Sequence, residues 1–171
     1  MSDYGEPPSH DGNRRTGWAE LGSGETVELA RIGARFGARV LDIILEVVAV
    51  IVLGSVLIGG WLTGDADSVP DIGVGGLLIS AAVGVAYEVV LIALWGQTLG
   101  KRMVGIRVIN AAHGGVPGWG KSSGRWAIPG LLALIPAVGW ILSILCYISA
   151  TWDRVYQGWH DKVAGTLVVK K

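Results

Sequence analysis

The sequence is short of charge, of cysteine and of phenylalanine. Only 16% of its 171 residues are charged, against about 25% in an ordinary soluble domain. The 14 basic and 14 acidic residues cancel, which gives no support for a nucleic-acid partner. One cysteine, Cys146, excludes a disulfide scaffold and any cysteine metal cluster. The three histidines, His10, His113 and His160, stand in unrelated contexts with no paired spacing, so no metal site is expected. The chain is expected not to be an enzyme and to carry no cofactor.

What is present is apolar: 51% of residues are hydrophobic and the mean hydropathy is +0.50. At this length a single domain is expected. Residues 1–30 are polar, with Pro7 and Pro8, and lack the basic-then-apolar order of a signal peptide. They predict a disordered cytoplasmic tail. Three apolar stretches follow, at about 40–61, 73–95 and 126–151. The first two are long enough to cross a bilayer, which takes roughly 20 residues. Between them, Asp65, Asp67 and Asp71 stand without a basic residue, whereas residues 96–125 hold Lys101, Arg102, Arg107, Lys121 and Arg125 and no acid. Positive residues stay inside, so the N-terminus and the basic loop are expected in the cytoplasm of a bacterial-type inner membrane. Trp61, Trp95, Trp126 and Trp152 mark the ends of the apolar stretches, where their rings favour the interface.

The third stretch has two readings. As one helix it would be about 40 Å long against a hydrocarbon core of roughly 30 Å. Pro129 and Pro136 interrupt it, and neither half is long enough to cross alone. A Pro-broken hairpin returns the C-terminus to the cytoplasm; a single crossing sends it out. The β-branched runs Gly105–Ile109 and Thr166–Val169 favour the hairpin, because two lone strands need to pair on one side. The expected fold is therefore an all-α membrane protein, two transmembrane helices plus this third segment, with a small cytoplasmic β element. Trp119 and Trp159 are expected to pack beneath that element.

The most informative pattern is the charge entering the first apolar stretch: Arg31, Arg35, Arg39, Asp42 and Glu46. At 100° per residue they fall within a sector of about 80°. Arg39 can pair with Asp42 at i, i+3. Glu88 lies at a depth similar to Glu46, about 10–12 Å inside the cytoplasmic boundary, counting 1.5 Å per residue. Carboxylates at such depth should face the bundle interior and share cations. Asp42, Glu46 and Glu88 are the candidates for ion or proton coupling; Arg35, Arg39, Arg125 and Asp161 are expected to form a structural charged cluster. Gly76, Ser80 and Gly84 offer a small-residue face for close helix packing, so the partners expected are the bilayer, a second copy or a membrane complex, and a small cation.

Three blocks carry a family resemblance: Ala34–Asp42, Gly96–Val108 and Gly158–Thr166. In this order they resemble the RDD family of small membrane proteins, with Arg35 and Asp42 matching its Arg and first Asp, Asp161 its second Asp, and Arg125 a further arginine. The resemblance implies a single RDD-like membrane domain over 31–171. It also implies either sodium/proton antiport of the kind some members resemble, or an accessory role beside other machinery. Gly96–Lys101 is one residue short of a phosphate loop and has Arg102 where Ser or Thr would hold magnesium, so it reads as the turn leaving the second helix, with Lys101 at headgroup level. Cys146 and the His160-Asp161-Lys162 run read as structural.

Overall fold

Two β-branched runs far apart in sequence form the centre of the fold. In the computed structural model, which describes residues 16–58, 82–133 and 135–171, β3 (Ile106–Asn110) pairs antiparallel with β4 (Thr166–Lys170), setting Val108 opposite Val168. Strand side chains alternate between faces. Ile109, Leu167 and Val169 pack into one apolar cluster, and Ile106, Val108 and Val168 into another. Both faces thus carry apolar packing, which is why apolar residues stand side by side in both runs, while Arg107 stays exposed.

The first cover differs from the expected disordered tail. β1 (Trp18–Glu20) and β2 (Thr26–Glu28) form an antiparallel hairpin, and Leu29 bridges to Val169. Ala19, Leu21 and Leu29 are buried against the sheet. Three apolar side chains in a polar stretch had too little periodicity to announce a strand; a sheet face needing cover orders them. Trp119 and Trp159, expected beneath the sheet, are instead exposed.

The second cover is helical. α1 (Ile32–Ile58) brings Ala38 to the sheet, and α2 (Leu91–Trp95) brings Ile92. A π-helical turn, Ala86–Val90, precedes α2 and buries Glu88. Gly96 ends α2 at φ +68°, where an added Cβ would lie 2.5 Å from the Val108 carbonyl oxygen. Only glycine permits this approach of helix end to strand. α3 (Leu99–Val104) then packs along α1 and leads into β3.

α4 (Gly118–Ala133) contains Pro129, and α5 (Gly139–Ile148) packs against it. The chain between them turns through Ala137 at φ +65°. A 3-10 turn (Ser149–Thr151) and α6 (Trp159–Ala164) return the chain to β4. Among the described residues no helix is long and apolar enough to cross a membrane. α1 nonetheless exposes Ile43, Ile44, Val47, Val48, Ile51 and Val52, and α5 exposes Trp140, Ile141, Ile144 and Ile148. The acidic loop, Trp61 and residues 73–81 of the second apolar stretch, Gly76 and Ser80 among them, lie outside the described residues.

Candidate functional site

The charged stripe of α1 faces inward, as a helix carrying its charges on one sector must if the rest of its surface is Val, Ile and Leu. It meets charges from the 96–125 loop, α4 and α6 around a cavity of about 260 Å³ lined by Arg35, Arg39, Glu88, Lys101, Arg125 and Asp161 among others.

At one end lies Asp161, 1% exposed. Arg125 Nε donates to Oδ1 at 2.6 Å, and Arg35 Nη1 stands 3.5 Å from Oδ2. The Gly158 amide donates to Oδ2 at 3.4 Å across the first turn of α6, and Thr166 Oγ1 donates to Oδ1 at 3.3 Å. Burial alone would raise the Asp161 pKa; Arg125, His160 and Arg35 outweigh it and hold the carboxyl well below the usual carboxylate range. Arg35 does more than pair. Its Nε donates to the Ala30 carbonyl and its Nη2 to the Val168 carbonyl, both at 3.1 Å, and its Nη1 donates to the Tyr156 carbonyl. It fastens the start of α1 to β4 and to the loop before α6. Burial lowers the Arg35 pKa to about 10 against the pull of Asp161, with Arg125 adding to the decrease.

His160 sits beside this group, buried, with Nδ1 3.4 Å from Cys146 Sγ and its ring 4.8 Å from that of Tyr147. Burial lowers its pKa to about 4 despite the neighbouring Asp161, so it is neutral at pH 7.

At the other end lies Asp42, 0% exposed. Oδ1 accepts from the Tyr87 hydroxyl at 2.7 Å and the Gly100 amide at 2.8 Å; Oδ2 accepts from Thr98 Oγ1 at 2.6 Å. Lys101 Nζ stands 3.6 Å away. Gly100 is required here: an added Cβ would lie 2.7 Å from Asp42 Oδ1 and would press on the Ala38 carbonyl. The expected Arg39–Asp42 pair is therefore corrected. Asp42 is a short side chain turned into the donors of the 97–101 turn, so the longer Arg39 reaches across to Glu88 Oε2 at 3.1 Å, with its guanidinium 5.0 Å from the Tyr147 ring centre.

Of the residues singled out from sequence, Arg35, Arg39, Glu88, Arg125 and Asp161 share the cavity wall, while Asp42 stands behind Lys101 and Glu46 is half-buried farther along α1. Glu46 has no ion-pair partner among the described residues. Lys101, expected at headgroup level, is 8% exposed and belongs to the site. Positive-inside reasoning assigns every loop lysine to the surface and hides this one; its place within the Gly96–Val108 block was the available signal. Thr98 and His160 gave none beyond membership of these blocks, and Tyr87, outside them, gave none at all. Among the described residues no group of three or more His, Cys, Asp or Glu could hold a metal ion.

A model of the RDD family matches residues 29–165, most of the chain. The chain belongs to the RDD family. It is accordingly a membrane protein, and the matched span includes every charged residue of the cavity wall and the Asp42 turn. No curated protein and no solved structure matches it.

Proposed function

We propose that this RDD protein is a non-catalytic accessory or interaction protein of a membrane complex, and that its buried charges latch membrane helices to the strand pair rather than exchange small cations for protons. One observation carries the choice: each buried carboxylate already has a cation. Asp161 has Arg125 at 2.6 Å, Glu88 has Arg39 at 3.1 Å, and Asp42 has Lys101 at 3.6 Å backed by three neutral donors. A transported cation would have to displace a guanidinium or ammonium, leaving that charge buried and unpaired at a cost of about 3–5 kcal/mol. The exposed apolar faces of α1 and α5 support contact with lipid, and the paired strands support a cytoplasmic C-terminus, with α4 and α5 entering and leaving on one side.

Exchange retains one supporting observation, since Glu46 shares the stripe with no ion-pair partner among the described residues. Proteoliposomes with an internal pH-sensitive dye separate the two readings. The accessory reading expects no cation-dependent proton flux from folded protein. Flux that persists in Arg107→Ala, an exposed site, and vanishes in Glu46→Gln and Glu88→Gln would overturn it.

A further inference from the structure

The cavity wall is unbalanced in charge. Arg35, Arg39, Lys101 and Arg125 line it against Glu88 and Asp161, four cations against two carboxylates. Counting Asp42 behind Lys101 still leaves four against three. The surplus lies at the Asp161 end, where a single carboxylate serves two guanidiniums. There Arg125, itself 6% exposed, keeps its Nη1 buried and without a hydrogen-bond partner among the described residues. A guanidinium presents five N–H donors in a fixed fork, and one left unmatched in a buried wall calls for an acceptor.

Beside Tyr147, Thr151 and His160, the rest of the wall is apolar, with Ile32, Phe36, Ile148 and Val168 facing the same space. Phe36 and Ile148 also reach the exterior. The volume, about 260 Å³, is below the roughly 300–1,000 Å³ of drug-sized sites and suits a headgroup rather than a whole lipid.

We infer that this cavity binds a net-anionic phosphate ester, its oxygens taken by the free donor of Arg125 and by its neighbours Arg35 and Lys101, and its carbon chain leaving along Phe36. Arginine pairs bind phosphate oxygens with charge-assisted hydrogen bonds, and basic pockets between membrane helices on the cytoplasmic side take anionic headgroups. A lipid headgroup and a soluble phosphate share this chemistry. Only the lipid source rests on the membrane placement proposed above; the anion site itself does not.

The test uses the full chain purified in a neutral detergent, titrated with dioctanoyl phosphatidic acid, dioctanoyl phosphatidylcholine and inorganic phosphate, and read by thermal midpoint. A ligand that binds only the folded state raises that midpoint with concentration. Phosphatidic acid should raise it saturably and phosphatidylcholine should not. Arg125→Lys keeps a charge opposite Asp161 but removes the forked donor, and should weaken phosphatidic acid about tenfold, the loss expected for one charge-assisted hydrogen bond. Arg107→Ala, outside the cavity, should leave it unchanged. Phe36→Ser should weaken the lipid and spare inorganic phosphate if the source is a headgroup. Equal binding of inorganic phosphate, indifferent to Phe36→Ser, assigns the site to a soluble phosphate. Equal stabilisation by phosphatidylcholine and phosphatidic acid, or no response of the unmodified protein to phosphatidic acid and phosphate, would overturn the proposal. So would binding that a folded Arg125→Lys variant leaves intact.

Discussion

The two family aspartates are equally buried and are satisfied in opposite ways. Asp42 takes its three shortest hydrogen bonds from neutral groups, the Tyr87 and Thr98 hydroxyls and the Gly100 amide, and keeps its cation at 3.6 Å. Asp161 is held chiefly by charge, with one guanidinium at 2.6 Å and another at 3.5 Å. The difference follows from what each joins. Asp42 ties α1 to a tight turn, whose glycine amide and hydroxyl supply donors at a smaller desolvation cost than a buried charge carries. Asp161 joins α6 to α1 and α4, and only long side chains span that gap. The first arrangement is complete; the second leaves a donor over.

The same change at both sites should expose this contrast. Asp161→Asn leaves two guanidiniums facing each other, one of them 6% exposed, and should cost about 3–5 kcal/mol. Asp42→Asn keeps an acceptor for at least one neutral donor and leaves Lys101 the attraction of Glu88, which exceeds that of Asp42, so the expected loss is smaller, about 1–3 kcal/mol. Thermal unfolding in one detergent compares them directly. A larger loss at Asp42 would reverse the assignment of the charge-dependent centre.

How far the sequence announced these centres depends on reach. Helical spacing put Arg35, Arg39 and Asp42 on one sector of α1, and that is a local, periodic property. The identity of each partner is not local. Arg39 and Asp42 are i, i+3 neighbours with complementary charge, yet the 97–101 turn competes for Asp42 because Gly100 lets backbone approach carboxylate, and nothing in residues 31–46 reports it. Lys101 was hidden for the same reason: a loop lysine reads as solvated until an aspartate is found beneath it. The strands were legible from β-branched runs, and their pairing from the need of each for a neighbour. The β1–β2 hairpin was not, since Ala19, Leu21 and Leu29 gain meaning only from the sheet they cover.

Acid should sharpen the contrast further, because only the Asp161 centre includes a histidine. His160 is neutral in the fold with a pKa near 4, and an unfolded histidine titrates near 6.5. The unfolded chain therefore binds the proton first. Stability contributed by keeping His160 neutral is whole above about pH 6.5, falls as pH drops toward 4, and reaches a loss of order 3 kcal/mol. The Asp161 carboxyl, also depressed, adds its loss only below the ordinary carboxylate range, so the two are separable by pH. Unfolding midpoints at pH 7, 6, 5 and 4.5 should decline in the native sequence and decline less in His160→Gln. Parallel curves for the two proteins would remove His160 from the account.

The smallest effect concerns a second tie between the same two helices. Lys121 lies one turn before Arg125 on α4, and its Nζ donates at 3.0 Å to the carbonyl of Gly165, the residue that caps α6 at φ +60°. Both residues fasten α4 to the α6 end, but Lys121 is only half-buried, and its loss would leave a carbonyl rather than a charge without a partner. An ordinary hydrogen bond contributes about 0.5–1.5 kcal/mol, and water can replace this one in part. Lys121→Ala should therefore cost about 1 kcal/mol or less, severalfold below Asp161→Asn. If the cost depended merely on how many ties hold α4 to α6, the two variants would unfold together. If it depends on stranding a buried charge, they separate, and the unfolding midpoint of Lys121→Ala stays close to that of the unmodified chain at every pH from 7 to 4.5.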